Sequence, residues 1–345
     1  MASLKDIARE CQVSVATVSK ALNNHSDISE ERKADIRRKA EEMGYRPNLF
    51  ARTLKTNRSY NIGVLFTDLA HNGLTHDYFA AVLDSFKVAV EQNDYDLTFL
   101  NCNKTGKNRM SYLEHARYRG FDGVVIACVD FTDPEVLELV QSDIPVVTID
   151  YVFNDRLAVI SDNAKGMEEL LSYVYQMGHR RIAYIHGADS AVTRSRLSSF
   201  YRTAEMLGLE IPDEYVLESE YRDTAGAAAA TEKLLDIRRP PTCILYPDDF
   251  AAFGGINVIR GRGLSIPDDI SVAGYDGIRL ARHAVPRLTT LWQDTQHLGQ
   301  YAAEKLIDLI EKPKTTLRNI TVVEGKVYEG QTIRNLACEN QRNLK

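Results

Sequence analysis

The stretch VSVATVSKALN, residues 13 to 23, has helical spacing and a single charged residue, Lys20. Val18, Ala21 and Leu22 form an apolar stripe that turns inward, which leaves Val15, Ala16, Ser19, Lys20 and Asn23 on the outward face. A helix that met only water there would gain from paired glutamates and lysines. Small apolar groups instead match thymine methyl groups, a lysine reaches guanine O6 and N7, and hydroxyls reach phosphates. The stretch reads as a recognition helix, with an amphipathic helix on a protein–protein interface as the alternative.

Its neighbours support that reading. Ser3 is placed to cap a first helix with Asp6 three positions on, and Leu4, Ile7, Ala8 and Cys11 then share one face. Ser14 starts the second helix. Ser29 starts a third, with Ile36, Ala40 and Met43 inward and Gly44 as its stop. Two helices joined by a three-residue turn and followed by a third form the helix-turn-helix plan, whose second helix enters the major groove.

Charge is divided along the chain in the same way. The 345 residues carry a net charge of −6, but residues 1 to 60 hold 12 Lys and Arg against 8 Asp and Glu, and the rest holds 30 against 40. A small basic unit precedes a large acidic body, and the length suggests two or three domains. No apolar run approaches the ~18 residues of a membrane span, and MASLKDIARE is charged where a signal peptide is apolar, so a cytoplasmic protein is expected. Cys11, Cys102, Cys128, Cys243 and Cys338 are scattered without a CxxC pair, which indicates neither a disulfide framework nor a zinc site.

After Gly44 comes YRPNLFARTLKTNRS. Pro47 and Asn48 make a start signal, and Leu49 to Lys55 suffice for little more than one turn, far short of the ~12 residues an isolated helix needs. A basic segment (Arg46, Arg52, Lys55, Arg58) with Ala51 and Leu54 near its centre suits a minor-groove element that wedges a base step open; a plain linker is the alternative.

VSVATVSKALN, then ISEERKADIRRKAEEMGYRPN and ARTLK, together resemble the DNA-binding domain and hinge helix of the LacI/GalR family of bacterial transcription regulators. The resemblance implies that Val15, Ala16 and Lys20 read bases, that Thr17, Ser19, Asn23 and Ser29 lie on the phosphate side, and that Leu54 intercalates at the operator centre. Ser3, Leu4, Ser14, Asn48, Ala51 and Lys55 complete the expected DNA-facing set. Gln12 departs from the family at a turn position usually held by glycine, and costs ~1 to 2 kcal/mol if the left-handed geometry is kept.

From Asn61 the apolar runs IGVLF, DLTFLN, GVVIAC and IPVVTID alternate with segments of helical period, as in Phe79, Val82, Leu83, Phe86 and Val90. The scheme restarts at RRIAYIHG (180 to 187) and continues through TCILYP (242 to 247) and ISVAGYD (270 to 276). Parallel strands with crossover helices in two doubly wound halves are expected, with a ligand cleft at the carboxyl ends of the strands. Here MGHRRIAYIHG, RSRLSSF, IPDDISVAGYD, PRLTTLWQD and LGQYAAEKL extend the resemblance over nearly the whole chain. It implies a small all-α helix-turn-helix domain plus an α/β regulatory domain of two doubly wound lobes, similar to type I periplasmic binding proteins. The expected limits are 1–46 for the first domain, 47–59 for the hinge and 60–345 for the effector-binding and dimerisation domain. Within the last, the N-lobe spans about 61–161 and 293–321 and the C-lobe about 162–290 and 322–345.

A sugar effector needs bidentate acceptors, a guanidinium donor and an aromatic plate. The strand ends supply Thr67, Asp68, Tyr78, Phe79, Asp150, Arg196 and Asp276. By resemblance Arg196 and Asp276 contact the effector, with Asp150, Phe79 and Gln293 beside them and Tyr221 as a plate. Asp248 stands where asparagine is frequent and Ala127 where some relatives carry a polar residue, so a lactose-like ligand is not the default. Asp68, Asp248 and Asp276 have a rival role as helix caps, Arg196 as an inter-lobe ion pair and Phe79 as part of an apolar stripe.

No GxSxG, HExxH, Walker A or dinucleotide fingerprint is present, and His71 and His76, five apart, make no ligand set, so no enzyme, metal or cofactor is expected. The sequence reading is a homodimeric repressor of carbohydrate-utilisation genes, released from a near-palindromic operator DNA by a sugar or sugar derivative. Its alternatives are a corepressor mode and a sugar sensor whose N-terminal helices bind a protein.

Overall fold

The computed structural model describes residues 2–45, 58–68, 73–101 and 109–338. The chain divides into two compact units, Met1–Tyr60 and Asn61–Lys345. The expected hinge residues Asn48, Ala51, Leu54 and Lys55, together with His71 and Cys102, lie outside the described residues.

The first unit holds α1 (Leu4–Glu10), α2 (Val15–Leu22) and α3 (Glu30–Glu42). Serine hydroxyls start all three: Ser3 accepts from the Asp6 amide in a full capping box, Ser14 from Thr17 and Ser29 from Arg32. Ile7, Ala8, Val18, Ala21, Ile36 and Ala40 form the core, and Leu4, Cys11, Leu22 and Met43 pack against it. Gln12 does keep the left-handed geometry, at φ 52°, and the Val13 amide closes the turn onto the Ala8 carbonyl at 3.0 Å. The turn that glycine would make without strain is thus made by an L-residue.

The second unit contains two six-stranded sheets. The first runs β11 (Ile320–Val323), β5 (Leu157–Ser161), β4 (Val146–Ile149), β3 (Gly123–Ala127), β1 (Asn61–Phe66), β2 (Asp96–Phe99), and all its pairs are parallel. The second runs β12 (Lys326–Tyr328), β10 (Thr289–Trp292), β9 (Ser271–Asp276), β8 (Cys243–Leu245), β6 (Ile182–His186), β7 (Val216–Glu218); only β12 is antiparallel to its neighbour. The central strands are continuous apolar runs because helices cover both faces; every residue of β3 and β4 is buried.

The chain passes between the sheets three times. After β5, α7 (Asn163–Gln176) packs Met167, Leu170, Leu171 and Val174 into the second sheet's core. After β10, α12 (Thr295–Glu311) returns to lie on α4 (Asp77–Glu91), where a Cβ on Gly299 would sit 2.2 Å from the Val82 carbonyl. Only glycine lets these helices approach so closely. After β11 the chain re-enters the second sheet as β12. The remaining helices are α5 (Tyr112–Arg119), α6 (Pro134–Gln141), α8 (Ala191–Met206), α9 (Thr224–Asp236), α10 (Asp249–Gly261) and α11 (Arg279–His283). None in the described residues is long and apolar enough to cross a membrane.

Candidate functional sites

In the first unit the outward face of α2 is open. Val15 is 40% exposed, and Ala16, Lys20 and Asn23 are exposed around it, with Ser19 half-buried. Lys20 is not a free cation: its ammonium meets the Asp27 carboxylate at 2.5 Å. That pair is solvent-exposed and weak, so a guanine or a phosphate can displace Asp27 at little cost. The Asn23 amide donates to the Ser19 carbonyl at 2.6 Å, and the Ser14 and Thr17 hydroxyls bond each other at 2.8 Å. Ser3, Ser14 and Ser29 are exposed at helix N-termini, where backbone amides favour anions. Leu4 is half-buried against the core.

In the second unit a cavity of about 950 Å³ opens among loops that follow strands of both sheets. Its deepest polar groups hold one another in place. Asp276 ends β9, and its Oδ1 accepts from the Gln293 amide at 2.6 Å. Asp150 follows β4; it accepts from the Ser161 amide at 2.8 Å and from the Tyr78 hydroxyl at 2.6 Å. Arg196, 3% exposed on α8, donates Nε to Asn163 at 2.8 Å and Nη1 to the Pro247 carbonyl at 2.9 Å, and lies over the Tyr275 ring at 3.5 Å. Tyr221 bonds Thr193 through its hydroxyl at 2.9 Å and rests its ring on Gly187, where a Cβ would come within 2.2 Å of it.

Backbone geometry aims several of these groups. Asp68, Cys128, Asp150 and Asp276, at or just beyond the ends of β1, β3, β4 and β9, have φ of 45°, 54°, 57° and 101°. Each left-handed residue costs of order 1 to 3 kcal/mol, and such strain concentrates where side chains must be re-aimed for binding. Burial pushes the Asp276 carboxyl up to about 7, against the pull of Arg196, and raises Asp150 and Asp248 as well. Carboxylates deprived of water are strong acceptors for hydroxyl donors.

Of the effector residues expected from sequence, Asp68, Tyr78, Phe79, Asp150, Arg196, Tyr221, Asp248, Asp276 and Gln293 all line this cavity. Thr67 does not: its hydroxyl turns back to the Cys128 carbonyl at 3.3 Å. Asp248 is occupied as a helix cap, Oδ1 accepting from Ala251 at 2.9 Å and Oδ2 from the Arg222 amide at 2.7 Å, so its rival reading holds as well. Ala127 is buried at the end of β3. Sequence reasoning set His76 aside with His71 as loop residues, yet it is 9% exposed on this wall; Cys128 and Arg222 on the wall, and the Phe131–Tyr151 stack at 4.3 Å, were missed. None of these sits in a motif; only the strand-end position of Cys128 was a signal.

Comparison with known proteins places both units. Residues 3–48 match the model of bacterial regulatory proteins of the lacI family, and residues 171–333 that of the periplasmic binding protein-like domain. The HTH-type transcriptional repressor PurR of Pectobacterium atrosepticum is 32% identical over 329 residues, covering 93% of this chain and 94% of its own length. The ribose operon repressor of Haemophilus influenzae is 30% identical over 325 residues, covering 93% and 96%. Among solved structures, the lac repressor dimer bound to operator and the anti-inducer ONPF superposes with a TM-score of 0.77 at 22% identity, over 96% of this chain and 99% of that one. With three short N-terminal helices, two doubly wound sheets and relatives of this identity over 93% of its length, the chain belongs to the lacI family of bacterial regulatory proteins.

Proposed function

We propose that this regulator is a cytoplasmic homodimeric repressor that leaves a near-palindromic operator when a neutral sugar or sugar derivative fills the cavity of its second unit. The observation that carries the effector class is the convergence of a buried guanidinium, Arg196, with the half-buried carboxylates Asp276 and Asp150 and the Tyr221 and Phe79 rings on one cavity. A polyol presents hydroxyl donors to the carboxylates, ring and hydroxyl oxygens to the guanidinium, and a C–H face to an aromatic plate. The Gln293 Oε1 atom, buried without a hydrogen-bond partner among the described residues, adds an acceptor for a further hydroxyl.

Val15, Ala16 and Lys20 read the half-site, and the segment with Asn48, Ala51, Leu54 and Lys55 enters the central minor groove. Effector binding shifts the lobes between two arrangements and so weakens operator affinity, a coupling of ~1 to 3 kcal/mol in such systems. The test is the thermal stability of the purified protein against a panel of mono- and disaccharides, sugar acids, sugar phosphates and nucleobases. A ligand at 100 times its dissociation constant adds ~2.7 kcal/mol, a shift of several degrees. The expected result is a hit among neutral sugars that disappears in Arg196→Ala. A hit confined to nucleobases or phosphorylated ligands would overturn the effector class.

A further inference from the structure

We propose that Asp68, His76 and Cys128 form a binding site for a divalent transition-metal ion of the zinc class on the cavity wall. One ligand atom from each lies within 4.8 Å of the others, and Cys128 Sγ stands 3.8 Å from Asp68 Oδ1. Around a tetrahedral ion with bonds of ~2.0 to 2.3 Å, ligand atoms lie roughly 3.3 to 3.7 Å apart, so small side-chain rotations complete the set. One thiol, one imidazole and one carboxylate suit zinc or cobalt, and do not suit magnesium or calcium, which take oxygen ligands.

The site is built by the fold. β1 and β3 are paired neighbours in register, Phe66 opposite Ala127, at the point where the strand order of the first sheet reverses. Asp68 and Cys128 lie just past these two ends, tied by the Asp68 amide on the Cys128 carbonyl at 2.9 Å, and both are left-handed. His76 precedes α4 at its N-cap position yet makes no capping bond with its side chain. It is 9% exposed, and its Nδ1 is buried without a hydrogen-bond partner among the described residues. An imidazole held dry and unpartnered beside a thiol and a carboxylate is costly unless something coordinates it.

Binding forms the metal–sulfur bond as the thiol gives its proton to solvent and the aqua ion sheds waters. Three protein ligands leave a fourth position, and because all three residues line the cavity it is open to water or to an oxygen of a bound molecule.

The experiment is a titration of metal-stripped, full-length protein with Co²⁺, read with no sugar present and so independent of the effector reading. The expected result is one Co²⁺ per chain with a thiolate-to-cobalt charge-transfer band and four-coordinate visible bands, both bleached by Zn²⁺. Cys128→Ser removes the charge-transfer band, and His76→Gln weakens Co²⁺ binding more than tenfold. Absence of the band from the wild type, or its survival in Cys128→Ser, would overturn the proposal. Should Cys128→Ser fail to fold, unchanged Co²⁺ affinity in His76→Gln would do the same.

Discussion

The Arg222 guanidinium meets the Asp77 carboxylate at 3.3 Å, joining the loop after β7 of the second sheet to the start of α4, which follows β1 of the first. A further Arg222 nitrogen donates to the Thr75 carbonyl at 3.3 Å, and the guanidinium lies over the Phe250 ring at 4.0 Å. Arg222 is thus held by its own lobe while it reaches across to the other.

That ion pair should bias the lobes toward the arrangement seen here. Asp77→Asn and Arg222→Gln should show a coupling of about 0.5 to 1 kcal/mol in a double-mutant cycle of thermal or urea unfolding. Small-angle scattering should report a wider distribution of lobe separations in each variant. Strictly additive effects of the two changes would remove the latch.

Asp276 should make stability depend on pH and, as a contact of the proposed effector, ligand binding as well. Its carboxyl is pushed up to about 7 from its ordinary 3.8, so the folded chain holds this proton more tightly than the unfolded chain does. Its contribution to stability therefore falls as pH rises from about 4 toward 7 and levels off above. Affinity for a hydroxyl donor that needs the ionised form should run the other way, strengthening as pH rises through 7. Calorimetric titrations across pH 5.5 to 8.5 would show this, with proton release below about 7; a flat profile in the wild type, identical to that of Asp276→Asn, would contradict it.

On the proposed DNA-facing side of α2, Lys20→Ala should cost ~1 to 3 kcal/mol of specific binding and relax base preference at one position of each half-site. Asp27→Asn frees the Lys20 ammonium of its 2.5 Å partner and should tighten binding several-fold at low salt. Selection from a randomised DNA pool followed by anisotropy titrations measures both. Equal losses on selected and random DNA in Lys20→Ala would reduce that lysine to a phosphate contact.

Gln12→Gly should raise the stability of the first unit by ~0.5 to 1 kcal/mol. It relieves a left-handed residue at φ 52° and gives back part of the gain as chain entropy. Amide exchange in α1 and α2 of the intact protein reads the unit directly. Faster exchange in the variant would mean that the Gln12 side chain contributes more than its backbone costs.

Much of this architecture was legible because its physics is local. The serine caps at Ser3, Ser14 and Ser29, the stripe Val18–Ala21–Leu22 and the buried runs GVVIA and VVTI follow from which neighbours a residue meets one turn or one pleat away. The resemblance then supplied long-range order that no periodicity contains, and nine of the ten residues expected from strand ends and from the resemblance line one cavity. What the sequence by itself determined is therefore the identity and outward faces of the elements and the order in which they fold back.

Tertiary structure alone decided which distant groups touch. Asp248 spends both oxygens on backbone amides 26 residues upstream and 3 downstream, Lys20 finds Asp27 around a turn, and Thr67 faces away from the cavity its neighbour lines. Asp68 and Cys128 lie 60 residues apart, and neither belongs to a spaced ligand motif. They meet His76 because parallel pairing of β1 and β3 sets their loops side by side. Contacts of this kind depend on the register of a sheet, and register is settled by the packing of the whole lobe.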